Sequence, residues 1–273
     1  KRLTPNLIDS KVTLQETHYS IEYLNYLPLN ELAVHGRLPA KSWGGIFSAC
    51  LEYFEEAIQT QPPEGMLVKL EKNREALIDW KTRQRLTEFE QYAEINLHQS
   101  VELNGMALPS VYQIVDDLIA VSLQKKLHFS VVHGDFCFSN IIYDSRSKVI
   151  KLIDPRGINS LGEATIYGDL VYDLAKFSHS VVGFYDFILA GAFSLEMNGQ
   201  SIQFEIEANE VMEELISLMQ RTEIIKGVKI KDVMPLVILL FLSMLPLHAD
   251  SIRRQHALLA NALRLYCDYK GTV

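Results

Sequence analysis

Four polar side chains, His133, Asp135, Asn140 and Asp154, fall on one short stretch from Val131 to Gly157, VVHGDFCFSNIIYDSRSKVIKLIDPRG, with apolar residues on either side of each turn. Short apolar runs predict strands over Phe129 to Val132, Asn140 to Tyr143 and Val149 to Ile153. The polar tetrapeptide Asp144-Ser145-Arg146-Ser147 predicts the turn between the last two. The stretch therefore folds as strand, loop and hairpin, and the hairpin returns Asp154 to the side of Asn140.

That juxtaposition suits one kind of chemistry. Magnesium takes hard oxygen ligands and keeps several waters, so a carboxylate and an amide oxygen, here Asp154 and Asn140, suffice from the protein. Asp135, on the loop before Asn140, is positioned to accept the proton of an attacking hydroxyl. Phosphoryl transfer from a metal-bound nucleotide needs these groups: charge neutralisation on the phosphate oxygens and an oriented nucleophile. Singly, each residue has a plainer use, as a helix cap or a turn former. Their joint spacing between strands carries the reading.

Three linked motifs, HGDFCFSN (His133 to Asn140), LIDPRG (Leu152 to Gly157) and GDLVYDLA (Gly168 to Ala175), resemble the aminoglycoside phosphotransferase and choline kinase superfamily. The resemblance extends over most of the chain from about Tyr19 onward. It implies a bilobal protein-kinase-like fold, with Asp135 as catalytic base and His133 a catalytic residue with it, and Asn140 and Asp154 as ligands of Mg2+. By the same resemblance Asp173 braces the loop, and ATP or another nucleoside triphosphate is the cofactor. More loosely, IDPRG with YGDLVYDLAKFSHS resembles phosphotransferase domains associated with bacterial capsule or surface-polysaccharide synthesis. On that basis the acceptor is a small molecule bearing a hydroxyl, a sugar or sugar derivative by preference.

The chain departs from the family pattern in two places. After Asp154 stand Pro155 and Arg156, where many relatives carry an aromatic and an acidic residue. Arg156 either grips phosphate of the cofactor through its forked guanidinium or braces an acidic neighbour such as Asp169 or Glu163, the commoner use of a loop arginine. At the N-terminus, Val12 to Glu16 and Tyr19 to Leu24 read as a two-stranded remnant of the small-lobe sheet, and no glycine-rich loop precedes them. Because the chain starts at Lys1 rather than Met, the remaining small-lobe strands and their lysine are expected upstream, in another part of the same polypeptide. Glu22 and Leu24 stand where relatives enter the hinge and are candidate cofactor contacts; equally, Leu24, Leu27 and Leu29 are core residues around a turn at Pro28.

The expected fold class is thus α+β: residues 1–27 form a remnant of the small-lobe sheet and hinge, and residues 28–273 a helical C-terminal lobe with the catalytic loop and metal-binding hairpin. Helices are expected over Pro39 to Thr60, Lys69 to Leu97, Ser110 to Lys126, Gly168 to Leu189, Glu207 to Gln220, Lys231 to Leu247 and Ser251 to Tyr269, with a hairpin over Phe193 to Ile206. At 273 residues and 48% hydrophobic the chain can bury a large core. A net charge of −8 argues against nucleic acid and against a polybasic membrane-surface site. The apolar run Val233 to Leu247 is short and interrupted by Pro235 and Pro246, and reads as a buried helix rather than a membrane span. Cys50, Cys137 and Cys267 lack metal-ligand or disulfide spacing, which points to a cytoplasmic setting; Cys137 reads as a packing residue. Tyr167, Tyr172, Phe177, His179, Phe184 and Tyr185 either line an acceptor pocket or belong to the core, core being the commoner use. A second function class stays open: a catalytically inactive kinase-like binding or scaffolding module of a longer polypeptide.

Overall fold

A computed structural model describes residues 3–13 and 15–271. Its first hairpin shows how one side chain resets a register. β1 (Leu7–Val12) pairs antiparallel with β2 (Thr17–Ile21). The expected strand over Val12 to Glu16 is instead mostly the turn, and the expected second strand stops at Ile21. The cause is Thr13, whose Oγ1 accepts the amides of Gln15 and Glu16 and so closes the chain on itself. Leu14, within that expected strand, lies outside the described residues.

The chain then runs through β3 (Leu27–Pro28), α1 (Leu29–Val34), α2 (Ala40–Ala57), α3 (Leu67–Glu75), a π-helical turn at Ala76–Trp80, and α4 (Lys81–Glu90). The helix expected to Leu97 therefore ends at Glu90. β4 (Ser100–Leu103) and β5 (Met106–Ser110) form a hairpin that the sequence reading left unassigned. Its Asn104-Gly105 turn has φ of 50° and 81°, the left-handed pair that a two-residue hairpin loop of this type requires. α5 (Val111–Gln124) opens with a capping box between Ser110 and Gln113.

β6 (Phe129–Val131), β7 (Ile141–Asp144), β8 (Val149–Leu152) and β9 (Tyr167–Asp169) follow, then α6 (Leu170–Val181) and α7 (Tyr185–Leu189). The single helix expected over Gly168 to Leu189 is interrupted here. A Cβ on Gly183 would lie 2.5 Å from both the His179 carbonyl oxygen and the Phe241 ring, and Phe184 takes φ of 53°. Gly183 thus leaves room for the Phe241 ring at the break between α6 and α7, where the Val182 and Gly183 amides both close on the Ser178 carbonyl. β10 (Phe193–Asn198) and β11 (Ser201–Ile206) make a further hairpin, followed by α8 (Glu210–Arg221), α9 (Ile230–Ser243) and α10 (Ile252–Gly271).

The architecture is mixed α+β, with small sheets set on a helical body. β3-β7-β8 and β6-β9 flank the loop of interest, and β10-β11-β4-β5 form a separate sheet in which β11 and β4 are parallel. α9 is the central pillar. Every residue from Val233 to Ser243 is buried, and the helix packs against α4, α5, α6 and α10. Each fully buried Leu, Ile, Val or Phe there contributes about 1.5–3 kcal/mol by leaving water. Among the described residues no helix is long and apolar enough to cross a membrane.

One ion pair fixes how α6 enters this body. Asp169 caps α6, accepting the Val171 amide at 3.2 Å, and also takes the His128 amide at 3.3 Å. Its other oxygen receives Arg74 Nε at 2.9 Å, while Arg74 Nη2 donates to the Ser122 carbonyl at 2.5 Å. Both side chains are nearly enclosed, so α3, α5 and α6 meet at one charged joint. Removing one partner of such a pair strands a buried charge. Arg74→Met is expected to lower unfolding free energy by roughly 3 to 5 kcal/mol, and the double change Arg74→Met with Asp169→Asn by clearly less; urea denaturation of the three proteins measures both.

Candidate functional site

β6 delivers the chain into the loop at His133, and the first turn of α6 lies directly beneath it. Asp173, fully buried on that turn, accepts the His133 amide at 2.7 Å and the Tyr53 hydroxyl at 2.5 Å on one oxygen, and the Gly134 amide at 2.8 Å on the other. The Tyr53 oxygen in turn accepts the His133 amide at 2.8 Å. Burial pushes the Asp173 pKa up, and the hydrogen bonds from Tyr53 and the loop amides oppose that rise. Gly134 is required twice over: its φ is +80°, and a Cβ there would stand 2.8 Å from the Cβ of Arg156.

The His133 ring is a strut between two backbone segments. Nε2 lies 2.9 Å from the Ile153 carbonyl, which can only accept, and Nδ1 receives the Asp135 amide at 3.3 Å. The neutral Nε2–H tautomer satisfies both contacts. His133 therefore links the loop to the end of β8, and both ring nitrogens are already occupied by main chain.

Asp135 lies at the centre of the polar groups. Asn140 Nδ2 donates to its carbonyl at 2.9 Å and to its Oδ2 at 3.2 Å. Lys176 Nζ stands 2.7 Å from Oδ1, as an ion-pair contact rather than a well-aligned hydrogen bond. Burial acts to raise the Asp135 pKa, but Lys176 and Arg156 outweigh it and hold the carboxyl below its ordinary value. With its amide nitrogen spent on Asp135, Asn140 has its oxygen free of hydrogen bonds from the described residues. The Asn140 carbonyl accepts the Ile153 amide at 3.0 Å, so the next residue, Asp154, follows directly beside Asn140. Asp154 is exposed and makes no hydrogen bond or ion pair among the described residues. It takes φ of +56°, a left-handed conformation that Asp tolerates better than most side chains.

This donor set fits magnesium. No group of three or more His, Cys, Asp or Glu side chains that could hold a metal ion converges among the described residues. An amide oxygen and an open carboxylate, completed by water and phosphate, match the way magnesium is held.

Arg156 is not the brace of Asp169 or Glu163. Arg74 occupies Asp169, and Lys69 with Asn159 occupies Glu163. Arg156 instead lies over the Tyr172 ring at 5.2 Å and donates to its hydroxyl at 3.3 Å. Its amide bonds the His133 carbonyl at 2.9 Å, so the loop and the segment after β8 are joined twice. Glu22 and Leu24 are not brought into this cluster: Glu22 bonds Asn6, and neither residue shares a hydrogen bond, ion pair or cavity with the loop. Of the residues around Pro28, Leu29 is buried whereas Leu27 is exposed.

The aromatic cluster divides. Phe177, His179 and Phe184 are buried in the core, whereas Tyr167 and Tyr172 line a small hollow together with His133, Gly134 and Arg156. Cys137 is buried against Ser139, and burial raises its pKa. Sequence reasoning missed Tyr53, Lys176, Lys81 and Arg85. Lys176 had a readable signal: it follows Asp173 by one helical turn and so shares its face. Tyr53 had none, because it sits within an apolar stripe of α2. No protein-family model matches this chain, and no curated protein matches it.

Two outcomes follow from these buried carboxylates. Asp173→Ala is expected to cost roughly 3 to 5 kcal/mol and Tyr53→Phe about 1 to 3 kcal/mol, both by chemical denaturation, because each leaves loop donors or the carboxylate unpaired. Asp186, in the first turn of α7, keeps one oxygen without a partner and has its pKa pushed up to about 6 by burial, against a pull from Ser180 and Lys176. Its folded pKa exceeds its unfolded one, so its contribution to stability is full in acid and falls as pH rises towards 6. Relative to Asp186→Asn, the native protein should lose on the order of 2 kcal/mol between about pH 4 and pH 7; a difference in melting that does not vary with pH would contradict this.

Proposed function

We propose that this chain is a phosphotransferase of protein-kinase-like fold that moves the γ-phosphoryl group of ATP or another nucleoside triphosphate to a hydroxyl of a small metabolite. The observation that carries this reading is the Asp135 carboxylate held between Lys176 and Asn140, with the Asn140 amide oxygen free and the exposed Asp154 following the main-chain bond from Ile153 to Asn140. A strand, loop and hairpin seated on a helical body is the arrangement that such chemistry uses in a kinase large lobe.

Each residue then has a task. Asp135 orients the acceptor hydroxyl and takes its proton as the oxygen bonds to the γ-phosphorus and the bond from phosphorus to the β,γ-bridging oxygen breaks, releasing the nucleoside diphosphate. The transition state is loose and the proton leaves late, so a carboxylate of low pKa serves well. Lys176 keeps that carboxylate ionised and aimed. Asn140 and Asp154 would hold magnesium, which when bound neutralises charge on the phosphate oxygens. Asp173, Tyr53 and His133 position the loop. A sugar or sugar-derivative hydroxyl is the acceptor to test first.

The test is ADP release in the presence of Mg2+, ATP and a panel of hydroxyl acceptors. Asp135→Asn is expected to lower turnover at least about a hundredfold while leaving nucleotide affinity nearly unchanged. Asp154→Ala is expected to remove the magnesium dependence of nucleotide binding. Undiminished turnover in the Asp135→Asn protein would refute the role given to that carboxylate.

A further inference from the structure

The chain carries net negative charge, yet four cations, Lys81, Arg85, Arg156 and Lys176, gather around Tyr172. Lys81 and Arg85 lie one turn apart on α4 and line a second hollow, whose walls are Leu77, Ile78, Leu236, Leu239, Leu240 and Tyr172 among others. Leu77, Ile78, Tyr172 and Leu236 also line the hollow that contains Arg156, so the two spaces adjoin. Lys176 completes the group from α6. Elsewhere the inward or paired cations have carboxylate partners: Arg74 with Asp169, Arg83 with Asp79 and Asp116, Lys125 with Asp232.

Here only Lys176 has one, in Asp135. Lys81 makes no ion pair or hydrogen bond among the described residues, Arg85 donates only to the Ser243 carbonyl at 3.1 Å, and Arg156 contacts only Tyr172 through its side chain. Three half-buried cations against leucine walls interact through a medium of low polarity, where like charges repel strongly. Burial, then Arg156, Arg85 and Lys176, press the Lys81 pKa down to about 8 against a pull from Asp135. Such an arrangement is stable enough to persist only at a cost in folding free energy, and it favours whatever anion enters. The widened π-helical turn at Ala76–Trp80 supplies Leu77 and Ile78 to both hollows and sets Lys81 at its exit, a feature frequent at functional sites.

We propose that the acceptor carries its own phosphate monoester, and that Lys81, Arg85 and Arg156 bind that phosphate in the adjoining hollows beneath Tyr172. Three cations without an ion pair match a dianion better than a single carboxylate, and a forked guanidinium suits phosphate oxygens. The nucleotide triphosphate is the less suitable occupant, because neither hollow is lined by Asn140 or Asp154, the residues assigned to its metal. Cationic amines are excluded from the hollows by the same field. The inference rests on the phosphotransferase reading for the word acceptor; the anion site itself stands on the cations alone.

The experiment is calorimetric titration of the protein with inorganic phosphate, glycerol 3-phosphate, glycerol, acetate and, separately, Mg–ATP, repeated on Lys81→Gln and Arg85→Gln. Lys81→Gln removes a charge without breaking a native contact, so its fold is expected to be intact by circular dichroism. Expected is saturable binding of phosphate and glycerol 3-phosphate, weakened about tenfold or more in each variant, with glycerol and acetate much weaker and Mg–ATP affinity unchanged. Absence of phosphate binding, equal binding in the variants, equal binding of acetate, or a matching loss of Mg–ATP affinity would each overturn the proposal, the last by assigning the cations to the nucleotide. Lys81-dependent phosphate binding without any Mg–ATP binding would leave the anion site standing and sink the phosphotransferase reading instead.

Discussion

The buried carboxylate of Asp173 is the contact on which the site depends. Taking an ionised group out of water is costly, and it is tolerated only where donors replace the lost hydration. Asp173 receives three, the Tyr53 hydroxyl and the amides of His133 and Gly134, so the loop backbone is itself the solvent of this charge. Loop conformation and carboxylate burial are thereby one event. The left-handed Gly134, the His133 ring wedged to Ile153 and the position of Asp135 all follow from where Asp173 stands. Its own position is set by α6, whose first turn is held by Asp169 and Arg74.

The same helix carries the opposite charge one turn later. Asp173 and Lys176 face the loop together, the first from below and the second against Asp135, so α6 both supports the loop and tunes it. α4 divides its cations by the same helical period. Arg83 turns outward to Asp79 and Asp116 and contributes to a solvated surface, whereas Lys81 and Arg85 turn to the hollows. Surface pairs of the first kind are worth little; unpaired cations against apolar walls are a standing liability in the absence of a ligand, and that contrast is what gives α4 its interest.

Much of the local structure was legible because local chemistry decided it. The polar turn at Asp144 to Ser147 gave the hairpin β7-β8 within a residue, and α2 starts beside Pro39 as the proline and the apolar spacing require. The Asn104-Gly105 turn marks the hairpin β4-β5 as Asn198-Gly199 marks β10-β11. Two errors have tertiary or side-chain causes. Thr13 closes a turn where propensity favoured a strand, and α6 breaks beside Gly183, where Phe241, far away in the chain, leaves no room for a side chain. Of the two uses open to Arg156, bracing Asp169 or Glu163 is taken by Arg74 and Lys69, which reach those acids from α3.

By itself the sequence determined that His133, Asp135, Asn140 and Asp154 would share one strand, loop and hairpin, since short apolar runs and a polar turn suffice to bring those positions together. It determined too that Asp173 would open a helix close behind them. Only the tertiary structure decided which groups meet at the loop: Tyr53 from α2 on Asp173, Lys176 from α6 on Asp135, and Arg156 drawn to Tyr172. Spacing along a chain reports neighbours on one element, whereas the field at a site sums charges from every element packed around it. Electrostatic energy depends on separation in space and on the polarity of what lies between, and neither is written in the order of residues.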